Sequence, residues 1–408
     1  MVEVEITDSA GRVSRGAAPT GSSVGAHEAY VLRDNDPAEY DGLSVHRAVA
    51  SVENEIAPAL VGSELDDLAA LDRRMIELDG TEEKRRLGGN AIYSTSIALL
   101  RAAAAAAGMP IHRYVGNLLG LEPTATLPVP SFNVINGGRY DDLVQPFNEF
   151  LVMPYRGASI QAAIEMGVRL FGVLGDVLTE YRGRRPQVAP SYGYAAPSAD
   201  PRVVLELLSQ AVTRAGYGDT MAFALDCASS EMYDPGTETY ELNGDRVGSD
   251  VLIDYARQLS EDFPMIFVED LLDQDDWDGY PKAVSSVQRT LILGDDLIVT
   301  NRGRLERAVT TSAVDGFILK PNQVGTITEA LECFSYARDH DILAVPSGRS
   351  GGVVDDIVMD LSVGLGVPFQ KNGAPRSGER IEKLNFLLRM AERIPDCRLA
   401  DVAAIARF

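Results

Sequence analysis

The chain has 408 residues, a net charge of −23 from 60 acidic and 37 basic residues, and an apolar fraction of 45%. That length exceeds one compact core and predicts two domains, one of them large. The acidic balance excludes a nucleic-acid backbone or an anionic membrane as partner, and a site for an anionic ligand has to be made locally positive by metal ions and a few cations. No signal peptide is visible at Met1-Val-Glu-Val-Glu5, and the Ala-rich run 102–107 is far too short to span a bilayer. Cys227, Cys333 and Cys397 have neither metal-ligand nor disulfide-framework spacing, so a reducing cytoplasm is expected.

In chain order, Val2–Ile6 alternates apolar and polar residues as a strand does, a small-residue loop follows at Ala18–Gly25, and helical patterns run over Val45–Leu60, Leu65–Leu78 and Gly89–Ala107. This predicts an N-terminal α+β capping domain over residues 1–119. Leu121–Leu127, with Pro123, reads as a connector, and residues 127–408 as a C-terminal barrel domain carrying the active site. Within it, apolar runs of strand length each stop on a charged or small residue: Met221–Asp226, Met265–Asp270, Thr290–Asp296, Gly316–Lys320, Ile342–Gly348 and Pro368–Lys371. The steps between Asp226, Glu269, Asp295, Lys320, Gly348 and Lys371 are 43, 26, 25, 28 and 23 residues, the length of a strand, a helix and two loops. The fold class is therefore α/β, with a (β/α)8 TIM-type barrel whose strand ends converge on one mouth. Arg182–Pro201, rich in Gly, Pro, Ser and Tyr, breaks the rhythm and is expected as a long loop over that mouth.

The chain has five lysines, Lys84, Lys282, Lys320, Lys371 and Lys383, among its 37 basic residues. Two of them close strands. Lysine can lose its proton when charges and burial lower its pKa, which arginine cannot. An ordinary solvated surface lysine is the competing reading, and Lys320 argues against it by following the buried-type strand Gly316–Leu319.

Leu319-Lys-Pro-Asn-Gln-Val-Gly-Thr326, Val268-Glu-Asp270, Gly294-Asp-Asp-Leu-Ile-Val-Thr-Asn301, Phe223-Ala-Leu-Asp226 and Lys371-Asn-Gly-Ala-Pro375 resemble, in order, the motifs of the enolases; Gly21–Glu28 and Leu87–Ile92 are similar too. The resemblance covers nearly the whole chain. It implies an enolase-like fold in which Asp226, Glu269 and Asp295 bind a tight Mg2+, Lys320 is the base, Lys371 binds the substrate carboxylate region, and Arg349 with Ser350 holds the phosphate. Ser23 sits where the family's mobile loop helps bind a second Mg2+ together with substrate, and Glu149 matches a catalytic acid. Removing a proton α to a carboxylate creates a dianionic enediolate, and Mg2+ held by carboxylates opposite a lysine is the arrangement that stabilises one. For any single acid, a helix cap or a solvated loop charge would suffice as explanation; together at successive strand ends they do not read that way.

The chain also departs from the family. Ser191 stands where a loop glutamate shares in protonating the leaving hydroxyl, Gly348 where a histidine precedes Arg-Ser, Tyr140 where a histidine follows Asn-Gly-Gly, and Gly352-Val-Val354 where an acidic cluster follows Arg-Ser-Gly. Gly348 and Ser191 are thus expected to reshape substrate binding, with Gly348 adding room for a bulkier second reactant. The specialised expectation is a carboxyphosphonoenolpyruvate synthase of phosphinothricin-type antibiotic biosynthesis, acting on 2-phosphoglycerate- or phosphoenolpyruvate-type substrates with a phosphonoformate-type second substrate. Ordinary phosphopyruvate hydratase and a non-catalytic enolase-like binding protein are the alternatives. A small phosphorylated carboxylic acid is the expected partner, and a homodimer or higher homo-oligomer the expected assembly, although the N-terminal segment carrying part of the family's dimer contact is missing before Met1.

Overall fold

A computed structural model describes residues 1–21, 25–140 and 143–408. The N-terminal part pairs β1 (Glu3–Thr7) with β2 (Val13–Ala17) as an antiparallel hairpin and packs it on helices α1 (Leu68–Asp79), α2 (Gly89–Ala106) and α3 (Ile111–Leu118). Helix α2 is buried almost from end to end. Its many alanines and serines let β2 lie close: a Cβ on Gly16 would collide with the Ser94 carbonyl. The helical pattern expected over Val45–Leu60 is continuous from His46 to Leu60, with one wider turn at Val52–Ile56.

Among the described residues, eight strands form the barrel: β3 (Val129–Tyr140), β4 (Leu143–Met153), β5 (Ala222–Asp226), β6 (Met265–Glu269), β7 (Leu291–Gly294), β8 (Gly316–Leu319), β9 (Leu343–Pro346) and β10 (Phe369–Lys371). Helices α4 (Ile160–Arg182), α5 (Pro201–Ala215), α6 (Ser249–Asp262), α7 (Gly279–Ser286), α8 (Arg302–Thr311), α9 (Ile327–Asp339), α10 (Val358–Gly364) and α11 (Gly378–Arg393) surround it. Strands β5 to β8 are buried along their whole length, which is why they read as unbroken apolar runs rather than alternating ones. The barrel closes where β10 pairs with β3 and where Ser347, just past β9, bridges Lys371. Phe267 and Phe369 stack inside it at 5.7 Å.

One feature departs from a simple repeat of eight βα units. Strand β4 runs antiparallel to both β3 and β5, so two strands and then two helices precede the regular βα rhythm. This reversal brings the part of β4 up to Glu149 to the mouth, where Glu149 lies opposite Asp226 of β5 and Asn136 of β3. Bulges in the β3–β4 ladder at Asn133/Ile135 and Asn136/Gly138 flank the same place, as bulges often do where a strand must re-aim side chains. The loop expected over 182–201 is present, and its Tyr194–Ala195 adds a short strand to β3. The 121–127 connector ends in Thr126–Leu127, which pairs with Arg398–Leu399.

Candidate active site

A polar cavity of about 470 Å3 opens at the strand ends. It gathers Glu149, Asp226, Asp295, Lys320, Gly348, Arg349, Ser350 and Lys371 from the barrel, Ser191 from the long loop and Glu28 from the N-terminal part. Glu269 lies beneath the floor, fully buried. Of the residues singled out in the sequence, only Ser23 falls outside the described residues.

Lysines and carboxylates interlock here. Lys371 Nζ lies 2.5 Å from Glu269, 3.2 Å from Asp226 and 3.5 Å from Glu149. Lys320 Nζ pairs with Asp295, whose other oxygen accepts from the Gln323 side chain at 2.8 Å. Burial works against both ammonium groups, but the carboxylates win: Asp295 holds Lys320 above its ordinary value, and Asp226 with Glu269 holds Lys371 well above. For Glu149 the balance goes the other way. Burial pushes its carboxyl up over the opposing pull of Lys371, which favours the proton-carrying form that an acid needs. Asn133 Nδ2 donates to Glu149 Oε1 at 2.6 Å and fixes its orientation.

Two sets of carboxylates compete as the metal centre. Oxygens of Asp270, Asp295 and Asp296 all lie within 4.8 Å of one another. Asp270, however, already spends both oxygens on the backbone, accepting the amides of Asp295 and Asp296 at 2.8 Å each. It holds its own backbone in the left-handed region, at φ 45°, and ties the end of β7 to that of β6. The expected set is different: Asp226, Glu269 and Asp295 end or follow successive strands, with Glu269 paired in register with Asp226. Glu269 Oε1 is buried without a hydrogen-bond partner, an expensive state for a carboxylate oxygen and the one a hard cation relieves. Three carboxylates of this kind suit Mg2+.

Arg349 and Ser350 line the cavity as expected. The Arg349 guanidinium is gripped by both oxygens of Glu28, at 2.9 and 3.2 Å. Ser191 also lines it, and its carbonyl accepts a hydrogen bond from Arg380, which reaches the Ser350 carbonyl at 3.4 Å as well. Tyr140 donates from its hydroxyl to the Gly137 carbonyl at 2.9 Å. At Gly348, expected to add room, the direction a Cβ would take meets Lys383 Nζ, the far end of a flexible side chain. Sequence reading missed Glu28, Arg380, Lys383 and Asn148, the last of which donates to Asp226 at 3.4 Å. Only Glu28 carried a signal, since it ends the Gly21–Glu28 motif.

The chain matches two family descriptions in tandem, "Enolase, N-terminal domain" over residues 1–115 and "Enolase, C-terminal TIM barrel domain" over 124–403. A protein of Methanopyrus kandleri (strain AV19) named "Enolase" is 41% identical over 412 residues, covering 100% of this chain and 93% of its own length. One of Tropheryma whipplei (strain Twist), also named "Enolase", is 40% identical over 397 residues, covering 96% of this chain and 91% of its own. These relatives favour the enolase alternative over the specialised synthase, for which the comparisons offer no support. With both family descriptions matched in order and relatives alike from end to end, the chain belongs to the enolase family and is a carbon–oxygen lyase of the enolase superfamily.

Proposed function

We propose that this protein catalyses the Mg2+-dependent interconversion of 2-phosphoglycerate and phosphoenolpyruvate, the phosphopyruvate hydratase reaction. The observation that carries this reading is the interlocking of the two strand-end lysines with the three carboxylates: Lys320 on Asp295, Lys371 on Asp226 and Glu269. Asp226, Glu269 and Asp295 would hold the ion. When bound, Mg2+ supplies positive charge for the developing enediolate and offsets the carboxylates that now hold the lysine protons.

Lys320 Nζ takes the proton from the α-carbon. Lys371 binds the carboxylate end of the substrate, and Arg349 and Ser350 hold the phosphate, Arg349 exchanging its pair with Glu28 for phosphate oxygens. Glu149, raised by burial, delivers a proton to the departing hydroxyl. The bed of positive groups answers the repulsion expected from a chain of charge −23.

A second reading rests on the absence of three polar groups at Ser191, Gly348 and Tyr140. Loss of a proton donor costs roughly 10²–10⁴-fold, so the enediolate could instead serve a synthase that requires a phosphonoformate-type second reactant. One pair of assays separates the two. Phosphoenolpyruvate formation from 2-phosphoglycerate at saturating Mg2+ and enolase-like rate establishes the hydratase. Turnover only with the phosphonoformate donor, followed by phosphorus NMR, establishes the synthase. Absence of both, together with no solvent deuterium entering the α-position of 2-phosphoglycerate, overturns the enzyme assignment of this site.

A further inference from the structure

Helix α11 begins beside the cavity and carries Lys383 on its second turn. The residue is only 4% exposed, yet among the described residues its Nζ makes no hydrogen bond or close ion pair. It points at Gly348: a Cβ built there would run into the ammonium, and the same point lies 3.6 Å from Asp356 Oδ2. Gly348 lines the cavity and follows strand β9, so Lys383 stands in the direction that a side chain from this strand end would take. Glycine is the residue that leaves this approach open.

A buried ammonium without a partner is costly. Asp356 attracts it only in part, because burial still lowers its pKa and Asp356 Oδ1 is engaged with the Val358 amide at 3.1 Å. The neighbouring Arg380 adds repulsion and Glu379 and Glu149 add attraction, yet burial remains the largest influence and the ammonium stays below its ordinary value. Gly348, which the Lys383 ammonium faces, lines the cavity, so an anion bound there is a further counter-charge within its approach.

We propose that Lys383 is an anion-binding residue of the cavity, whose ammonium meets a phosphoryl or carboxylate oxygen of the bound substrate through the opening that Gly348 leaves. This deepens the proposed function and rests on its premise that a phosphorylated carboxylic acid occupies the cavity. It also gives the Gly348 departure a role: the position exchanges a side chain of its own for a cation delivered from α11.

Calorimetry with phosphoenolpyruvate and Mg2+ tests it, comparing the protein with Lys383→Met. A charge-assisted hydrogen bond lost without other change is expected to weaken binding roughly tenfold to hundredfold, with Mg2+ binding and circular dichroism unaltered. Gly348→Ala, whose methyl would displace the ammonium while keeping Lys383, is expected to weaken binding in the same direction and covers the case in which Lys383→Met does not fold. Equal affinity in both variants overturns the inference and leaves the proposed function standing. Should the unaltered protein bind neither phosphoenolpyruvate nor 2-phosphoglycerate, the proposed function fails. The inference is then decided by NMR of 13C-labelled lysine, with the Lys383 Cε signal assigned by its loss in Lys383→Met. A shift of that signal on adding inorganic phosphate, or on adding malonate, supports an anion site and says which oxygen chemistry it takes; no shift with either overturns it.

Discussion

Glu28 and Arg349, 321 residues apart, form a two-pronged ion pair at 2.9 and 3.2 Å, buried to 3% and 6% side-chain exposure. The pair joins the N-terminal loop to the mouth of the barrel. Breaking a buried pair from one side leaves a buried charge with less compensation, a change that costs up to about 3–5 kcal/mol in other proteins. Glu28→Gln is therefore expected to lower the urea midpoint strongly in the absence of ligand. Saturating phosphoenolpyruvate should recover much of the loss, because a phosphate supplies Arg349 with a new anion. A midpoint in Glu28→Gln that is unchanged without ligand would show the pair to be energetically idle.

The two candidate metal sets predict different variants. Glu269→Gln cancels the charge that carries the partnerless oxygen and takes from Lys371 one of its three carboxylates, so ligand-dependent Mg2+ binding should fall by at least about a hundredfold, with a stability cost smaller than that of Glu28→Gln because Asp226 and Glu149 still pair with Lys371. Asp295→Ala should abolish that binding altogether. Asp270→Asn replaces one of two oxygens that accept backbone amides with a donor, leaving an amide unsatisfied, and should cost about 1–3 kcal/mol of stability. Mg2+ calorimetry beside urea melts distinguishes them. Metal binding lost in Asp270→Asn but kept in Glu269→Gln would move the centre to Asp270, Asp295 and Asp296.

Lys320→Ala should stop solvent deuterium from entering the α-position of 2-phosphoglycerate while circular dichroism stays unchanged, since among the described residues the removed ammonium pairs with Asp295, at the cavity. Lys371→Ala should weaken ligand binding as well as turnover, because that ammonium touches three carboxylates on the cavity floor. Exchange that persists in Lys320→Ala places the base on another residue.

What the sequence disclosed follows from which signals are local. Strands β5 to β8 and the residues that end them were legible because a strand buried on both faces leaves an unbroken apolar run that stops at the mouth. The direction of β4 was not, since a strand that turns back reads like one that continues. The Lys383 approach was illegible for another reason: charged residues punctuate the outer face of any amphipathic helix, and only the fold shows that this one turns inward at Gly348. The same holds for Arg380, which ties Ser191 to Ser350 through carbonyls that have no sequence signature.

Asp72 of α1 links the N-terminal helices to the barrel by a single oxygen. Its Oδ2 accepts the Thr328 amide at 3.0 Å, the Thr328 hydroxyl at 2.6 Å and the Ser96 hydroxyl at 3.0 Å, while Oδ1 is buried without a partner. Burial pushes this carboxyl up from 3.8 to about 6, over the opposing pull of the Thr328 and Ser96 hydrogen bonds. Between about pH 4 and pH 6 the folded protein thus holds a proton that the unfolded chain has released. Stability from this group is full below about pH 4, declines as pH rises through that window, and at pH 7 is lower by up to about 3 kcal/mol. Asp72→Asn keeps an acceptor for Thr328 and Ser96 and places its amide where Oδ1 lacks a partner, so it imitates the protonated acid at every pH. The variant should match the unaltered protein in urea melts near pH 4 and exceed it progressively to pH 7. A stability difference that stays constant across this range would mean that Asp72 does not titrate there in the folded protein.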